Sequence, residues 1–379
     1  MAKLGEVCKV SPSTKNIERQ GAWLLNLDMV EQQTGRVVEY NFVGEDGLNG
    51  SITQFDTENV LYSKLRPNLN KVVLPERNGF CTSELLPLRP DARKLDRSYL
   101  AVFLRSDGFI NWAVSKTAGA KMPRLGTKDL LNANIPLPEI KEQKAIAEKF
   151  EKLEELICLR KQQIAKLDEL VKARFVEMFG EPVSNPMGWE KKKLQDVCYK
   201  LTDGTHFSPE SYDEGDYKYI TAKNIKSDGF DFSNITYVPE SVHRTIYERC
   251  NPELGDVLYI KDGATTGIAM VNSLEEEFSL LSSVALLKQN RKVIDGRFLC
   301  GVLNNAEMYK SIRSNMGGAA ITRLTIAKLQ KIMVIVPPLP LQKQFATFVK
   351  RVDQQKQTVQ QSLEKLELMK KALMQEYFG

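Results

Sequence analysis

The chain has 379 residues, of which 42% are hydrophobic, 27% charged and 8% aromatic, a composition that excludes a fibrous or largely disordered protein. Its 53 basic and 48 acidic residues leave a net charge of +5, compatible with a polyanionic partner but too small to demand one. The length exceeds what one hydrophobic core usually organises, so two or three domains are expected.

No apolar stretch approaches the roughly 20 residues that span a bilayer, and the opening MAKLGEVCKVSPSTKN lacks the apolar core of a secretory signal. The expected location is cytoplasmic, with no membrane partner. Cys8, Cys81, Cys158, Cys198, Cys250 and Cys300 stand far apart without a C-x-x-C pair. That spacing argues for small buried hydrophobes rather than a disulfide framework or a zinc knuckle.

The first 140 residues read as short β-rich runs, VLYSKLRPNLNKV and KVVLPERNGF among them, punctuated by Gly, Asn, Asp and Pro. Lys64, Arg66 and Asn68 stand in the loop SKLRPN, and Lys121 and Arg124 in KMPRLG. IPLPEIKEQK then leads into a helical pattern over 141–180, with apolar residues at Phe150, Leu153, Ile157, Ile164, Leu167, Val171 and Met178. Steps of four and three make this a coiled-coil seam. Pro138 marks its start, and Pro182 follows Gly180 at its end.

A second β-rich module, 181–339, carries DGTHFSP with Thr205 and His206, YITAKNI with Lys223 and Asn224, and GDVLYIKDGATTG with Lys261, Thr265 and Thr266. AAITRL, with Arg323, and VIVPPLPLQKQ precede a second helical pattern over 340–379, whose seam is Phe345, Val349, Val352, Val359, Leu363, Leu366 and Leu373. Arg160, Arg174, Lys356 and Lys370 interrupt the two seams with charge, a device that selects one register over others. No proline is expected inside either helix. Both modules are α+β and rich in turns. The loop residues suit phosphate contacts and base-edge reading in a major groove, although each taken singly is equally a solvated charge or a turn former.

The two halves repeat. A shift of 199 carries Arg124-Leu125 onto Arg323-Leu324, Leu130 onto Leu329, Pro138 onto Pro337, Gln143-Lys144 onto Gln342-Lys343, and Phe179-Gly180 onto Phe378-Gly379. Upstream the echo is looser: Val60-Leu61-Tyr62 answers Val257-Leu258-Tyr259. Each half is therefore a variable module of about 135 residues and a nearly fixed tail of about 40. At 1.5 Å per residue such a tail makes a helix of roughly 57 Å. The seams can pair with each other, parallel or antiparallel, or with another copy of the chain. An antiparallel pairing would set the modules at opposite ends of a rod.

Catalytic signatures are missing. There is no phosphate-cradling G-x-x-x-x-G-K-[ST], no G-x-S-x-G elbow and no H-E-x-x-H helix, and the only histidines are His206 and His243. FVGEDG at 42–47 lacks the strand–turn–helix setting of a cofactor loop. The Asn-Pro pairs at Asn185 and Asn251 lack the second proline and aromatic of an amino-methyltransferase motif. Glu58 and Asp256 precede strands, where a capping or turn role is expected.

DVCYKLTDGTHFSPESY, YITAKNI, GDVLYIKDGATTG, VLYSKLRPNLNKV and the duplicated PRL/TRL, PLP and Gln-Lys segments carry a likeness: in order and duplication the chain resembles the specificity (S) subunit of type I restriction-modification systems along its whole length. The resemblance implies two target-recognition domains joined by two long antiparallel coiled-coil helices in an internal pseudo-twofold repeat. Each domain would bind half of a split sequence in double-stranded DNA, with the helices acting as a ruler. It further implies docking to two methyltransferase (M) subunits and two restriction (R) subunits. S-adenosylmethionine, and ATP with Mg, belong on those partners; no cofactor, metal or catalytic residue is expected on this chain. The first module has KVSPST where the second has DGTH. The competing expectations are a coiled-coil scaffold with two ligand-binding modules and no DNA role, and an enzyme with an unrecognised site, such as a nuclease.

Overall fold

A computed structural model describes residues 1–48, 50–119, 121–314 and 324–379. The chain forms two units, Met1–Lys161 with Gln361–Gly379, and Gln162–Gln360. Each long helix, Ile140–Phe179 and Leu339–Phe378, contributes one half to each unit.

In the first unit a four-stranded sheet runs in the order Cys8–Val10, Leu85–Pro90, Val60–Ser63, Val72–Val73, with every pair antiparallel. A second sheet runs Asn41–Val43, Ala22–Leu25, Gly79–Thr82, Ile52–Phe55. Its central pair is parallel, Leu24 facing Phe80. Strand Val60–Ser63 is buried on both faces. Val60 and Tyr62 enter a core with Leu100, Phe103, Phe150 and Phe378, while Leu61 enters another with Trp23, Phe55 and Leu85. Two-sided burial explains why this strand reads as an unbroken apolar run.

The second unit follows the same plan. Cys198–Asp203, Val284–Gln289, Val257–Ile260 and Ala269–Val271 form its four-stranded antiparallel sheet. Thr236–Val238, Tyr217–Ile220 and Ser279–Leu280 form the smaller sheet, again with a parallel pair. Val257 and Tyr259 face a core with Phe175, Phe179, Phe298 and Phe345, and Leu258 and Ile260 face the other.

Both modules end on helix pairs begun by aspartate. Asp96 accepts from the backbone nitrogens of Ser98 and Tyr99 to cap Arg97–Leu104, and Asp295 does the same for Gly296–Leu303. Short strands tie each module's beginning to the segment before its long helix: Ala2–Lys3 with Asn134–Ile135, and Lys191–Lys193 with Met333–Ile335.

The long helices are 40 residues each and pack antiparallel within both units. In the first, Phe150 meets Phe378, with centroids 6.3 Å apart. In the second, Phe179 meets Phe345 at 5.7 Å. Of the expected seam, Phe150, Leu153, Phe345, Val352, Val359 and Leu363 are buried, and Ile157, Ile164, Leu167, Val171, Met178, Val349, Leu366 and Leu373 are half-buried. The stripe widens into the modules through Ile146, Phe175, Phe179, Met374 and Phe378, where full burial of each side chain contributes roughly 2–3 kcal/mol. Three of the four interrupting cations cross between the helices. Arg160 donates to Ser362 Oγ at 3.3 Å, Lys370 lies 2.8 Å from Glu154, and Lys356 lies 2.6 Å from Asp168. Arg174 instead pairs with Glu177 on its own helix and lies over Phe348.

The helix ends differ from the sequence expectation in one respect. Pro340 lies inside the second helix, in its first turn, where its missing N–H removes no intrahelical bond. Gly180 ends the first helix with φ +72° and its N–H on Val176, the left-handed cap that glycine tolerates. None of the six cysteines is in a disulfide. Cys8, Cys81, Cys250 and Cys300 are buried, Cys158 and Cys198 half-buried. Among the described residues no helix is long and apolar enough to cross a membrane.

Candidate nucleic-acid interface

In the first module five candidate residues converge on one loop pair. Strand Val60–Ser63 delivers Lys64, whose carbonyl accepts from Leu125 N at 2.9 Å and whose N–H donates to Glu84 O at 3.1 Å. Leu65 bridges Arg124. Arg66 donates its backbone N–H to Pro123 O at 2.8 Å, and its guanidinium reaches Lys121 O at 3.5 Å. The loop turns sharply because Arg66 (φ 48°, ψ 67°) and Asn70 (φ 49°, ψ 53°) both adopt left-handed backbone around Pro67. Asn68 holds the neighbouring loop by accepting, at its carbonyl, from Gln33 Nε2 at 3.0 Å.

Arg66, Asn68, Lys121 and Arg124 are exposed and Lys64 half-exposed. Arg124 alone of the cations here is neutralised among the described residues, its Nε and Nη2 bound to the Glu84 carboxylate at 3.3 and 3.2 Å. The result is a positive ridge whose backbone is fixed by main-chain bonds.

The second module builds its counterpart from a buried charge network. Asp203 ends strand Cys198–Asp203 and receives two cations, Arg249 Nη2 at 2.6 Å and Lys261 Nζ at 3.3 Å, with His206 Nε2 3.1 Å from the same carboxylate. Lys261 is only 2% exposed and also pairs with Asp262 at 2.9 Å. Its desolvated ammonium is tolerable because two carboxylates face it. Gly204 has no alternative at its position. A Cβ there would stand 1.9 Å from Leu280 O, and Thr205 N donates to that same carbonyl at 2.8 Å.

Ser283 ties the remaining segments together, its carbonyl accepting from Lys261 N at 2.9 Å and its Oγ from Ala222 N at 3.3 Å. Asn224 caps its own turn, Oδ1 accepting from Thr221 N at 3.0 Å and Nδ2 donating to Asp231 O at 3.1 Å. Thr266 Oγ1 closes the KDGATTG loop on Gly263 O at 2.7 Å.

The second module thus divides its candidate residues. His206, Lys223 and Thr265 are exposed, whereas Thr205, Asn224, Lys261 and Thr266 are buried and bonded into the fold. Arg323 lies outside the described residues. Its neighbour Leu324 donates to Lys261 O at 2.9 Å, which repeats the bond from Leu125 to Lys64. The sequence reading had missed Glu84, Asp203 and Arg249. Asp203 stands inside DGTH, but Arg249 and Glu84 carry no local signal, because each meets its partner across 39 or more intervening positions.

The carboxylates before the central strands are structural. Glu58 pairs with Arg89 and with Lys15 at 3.6 Å. Asp256 accepts from Glu253 N at 2.9 Å and pairs with Lys288 at 3.3 Å. Among the described residues no cluster of three metal-binding side chains occurs.

Residues 2–169 and 186–368 both match the family described as the type I restriction modification DNA specificity domain. The chain belongs to this family. Among curated relatives, the type I restriction enzyme EcoDI specificity subunit of Escherichia coli is 30% identical over 124 residues, which are 33% of this chain and 27% of that subunit. That match therefore spans little more than a quarter of the relative's length. The MjaVIII specificity subunit of Methanocaldococcus jannaschii is 23% identical over 315 residues, 79% of this chain and 73% of the relative.

Two solved structures share the fold across the whole chain. The type I restriction-modification S subunit from M. genitalium superposes with a TM-score of 0.61 at 17% identity, covering 100% of this chain and 95% of that one. A chain from a study of complex assembly and conformational transition in a type I restriction-modification system gives 0.60 at 19% identity, covering 100% and 96%.

Proposed function

We propose that this chain is the non-catalytic specificity subunit of a type I restriction-modification complex and reads a split DNA sequence, one half with each module. The observation that carries this reading is a constant frame bearing unlike loops. In both units a doubly buried strand ends on a lysine, Lys64 or Lys261, whose carbonyl is held by the leucine before the long-helix segment, Leu125 or Leu324. The loops that follow, KLRPNLN and KDGATTG, share only their lysine start. A fixed scaffold with exchanged loops is what reading two different half-sites requires.

Direct contacts fall to the half-exposed Lys64, to the exposed Arg66, Asn68, Lys121, Arg124, His206, Lys223 and Thr265, and to Arg323. Thr205, Asn224, Lys261 and Thr266 hold the loops that present them. Arg and Lys would supply phosphate contacts, and Arg, Asn and Thr base-edge reading. Two M subunits, bringing S-adenosylmethionine, and two R subunits, bringing ATP and Mg, complete the complex. The long helices offer them exposed apolar side chains, Leu156, Leu159 and Leu368 in one unit and Leu170 in the other, of the kind that mark protein contacts.

Methylome sequencing of a host expressing this chain with its neighbouring methyltransferase tests the proposal. Adenine methylation at one bipartite sequence is expected. Unpatterned methylation, or none, would leave the chain a coiled-coil scaffold without a DNA role.

A further inference from the structure

The repeated Gln-Lys pair holds a device that the specificity reading does not use. Gln143 is fully buried in the first turn of its helix. Its Nε2 donates to Lys94 O at 2.9 Å and to Pro138 O at 2.8 Å, and its Oε1 accepts from Asp96 N at 2.8 Å. One amide therefore joins three backbone segments: the long helix, the proline linker before it, and the loop that caps the module helix Arg97–Leu104. Gln342, equally buried, repeats the arrangement with Val293 O at 3.2 Å, Pro337 O at 2.7 Å and Asp295 N at 2.9 Å.

The other attachments of module to helix constrain the angle less. Ile146, Ala147 and Phe150 pack into the first core, and Phe345 into the second; apolar burial of this kind is non-directional. Ion pairs add further points, Arg105 with Glu154 at 3.4 Å in the first unit, and Arg297 with Asp353 at 3.6 Å and Asp228 with Lys356 at 3.7 Å in the second. Among the described residues, the fully buried amide supplies three directional bonds at the joint itself.

We propose that Gln143 and Gln342 are positioning residues that fix the angle of each reading module on its long helix, and thereby the number of unread base pairs between the half-sites. The inference rests on the split-site reading above. Its leverage is a matter of scale. For a module with a radius on the order of 15 Å, a rotation of roughly 13° carries a loop through one base-pair step of ~3.4 Å. A joint held by three bonds resists that rotation, whereas one held by apolar contacts and a partly exposed ion pair yields to it.

The test compares the wild-type chain with Gln143→Met and Gln143→Glu, each expressed with the methyltransferase, by methylome sequencing and by thermal unfolding of the purified complexes. Wild type methylates the split sequence with one spacer length. Both variants are expected to keep the half-sites and to extend methylation to spacers one base pair longer or shorter, at least tenfold above the wild-type level. A single unchanged spacer in the variants overturns the inference, as does an altered half-site. Loss of methylation by both variants also overturns it, since the amide would then be a stability element only. Absence of any split motif in the wild type would instead strike the underlying reading.

Discussion

The Lys370 ammonium lies 2.8 Å from the Glu154 carboxylate, joining two helices whose seam would otherwise be apolar at that level. Both side chains are less than a third exposed, and Glu154 also faces Arg105 at 3.4 Å. Charge set into a seam disfavours other registers more than it stabilises its own. A double-mutant cycle with Glu154→Ala and Lys370→Ala, read by urea unfolding, is expected to give a coupling of about 0.5–1 kcal/mol that shrinks in high salt. A coupling indistinguishable from zero at low salt would remove the pair from any part in register.

Arg66 holds left-handed backbone immediately before a proline, a conformation that costs a non-glycine residue about 1–2 kcal/mol. Replacement by glycine relieves that strain while adding about 0.5–1 kcal/mol of unfolded-chain entropy. Arg66→Gly is therefore expected to leave the unfolding midpoint unchanged or raised. DNA affinity should fall, with the salt slope reduced by about one if the guanidinium meets a phosphate. Undiminished affinity across several salt concentrations would make Arg66 a loop former and nothing more.

Asp56 is expected to contribute to acid stability in the first module. Burial pushes its carboxyl pKa upward, but hydrogen bonds from Arg89, Ser13 Oγ and Glu58 N outweigh that effect and hold it well below the ordinary carboxylate range. An unfolded aspartate titrates near 3.9. Because the folded value is the lower one, the ionised carboxylate contributes stability that is present above about pH 4 and lost as pH falls below it. Asp56→Asn should be less stable than wild type at pH 7 and show a shallower loss in acid. Parallel melting-temperature profiles for the two between pH 2 and pH 7 would contradict this.

Much of this architecture was legible because it was written twice. The shift of 199 located both long helices and their starts, and continuous apolar runs such as VLYS and VLYI marked strands buried on both sides. Less legible was what depends on partners far away in the chain. The Gln-Lys pair read as a helix opening, yet Gln143 meets main-chain atoms of residues 94 and 96, which no local pattern announces. Lys261 looked like a loop cation; its burial follows from Asp203, which reaches it only once strands Cys198–Asp203 and Val257–Ile260 join the same sheet. In the first module, by contrast, the nearness of Lys64 to Arg124 was hidden although both residues were singled out, because a backbone bridge of 59 positions brings them together.

All three partners of Gln342 are main-chain groups, and so are all three of Gln143. The joint therefore recognises the path of a module's backbone and ignores its side chains. A module with other loops meets the same helix start without any compensating change there. Under the proposed split-site reading, the two Gln-Lys segments are the points at which one module would be exchanged for another with the rest of the chain left intact.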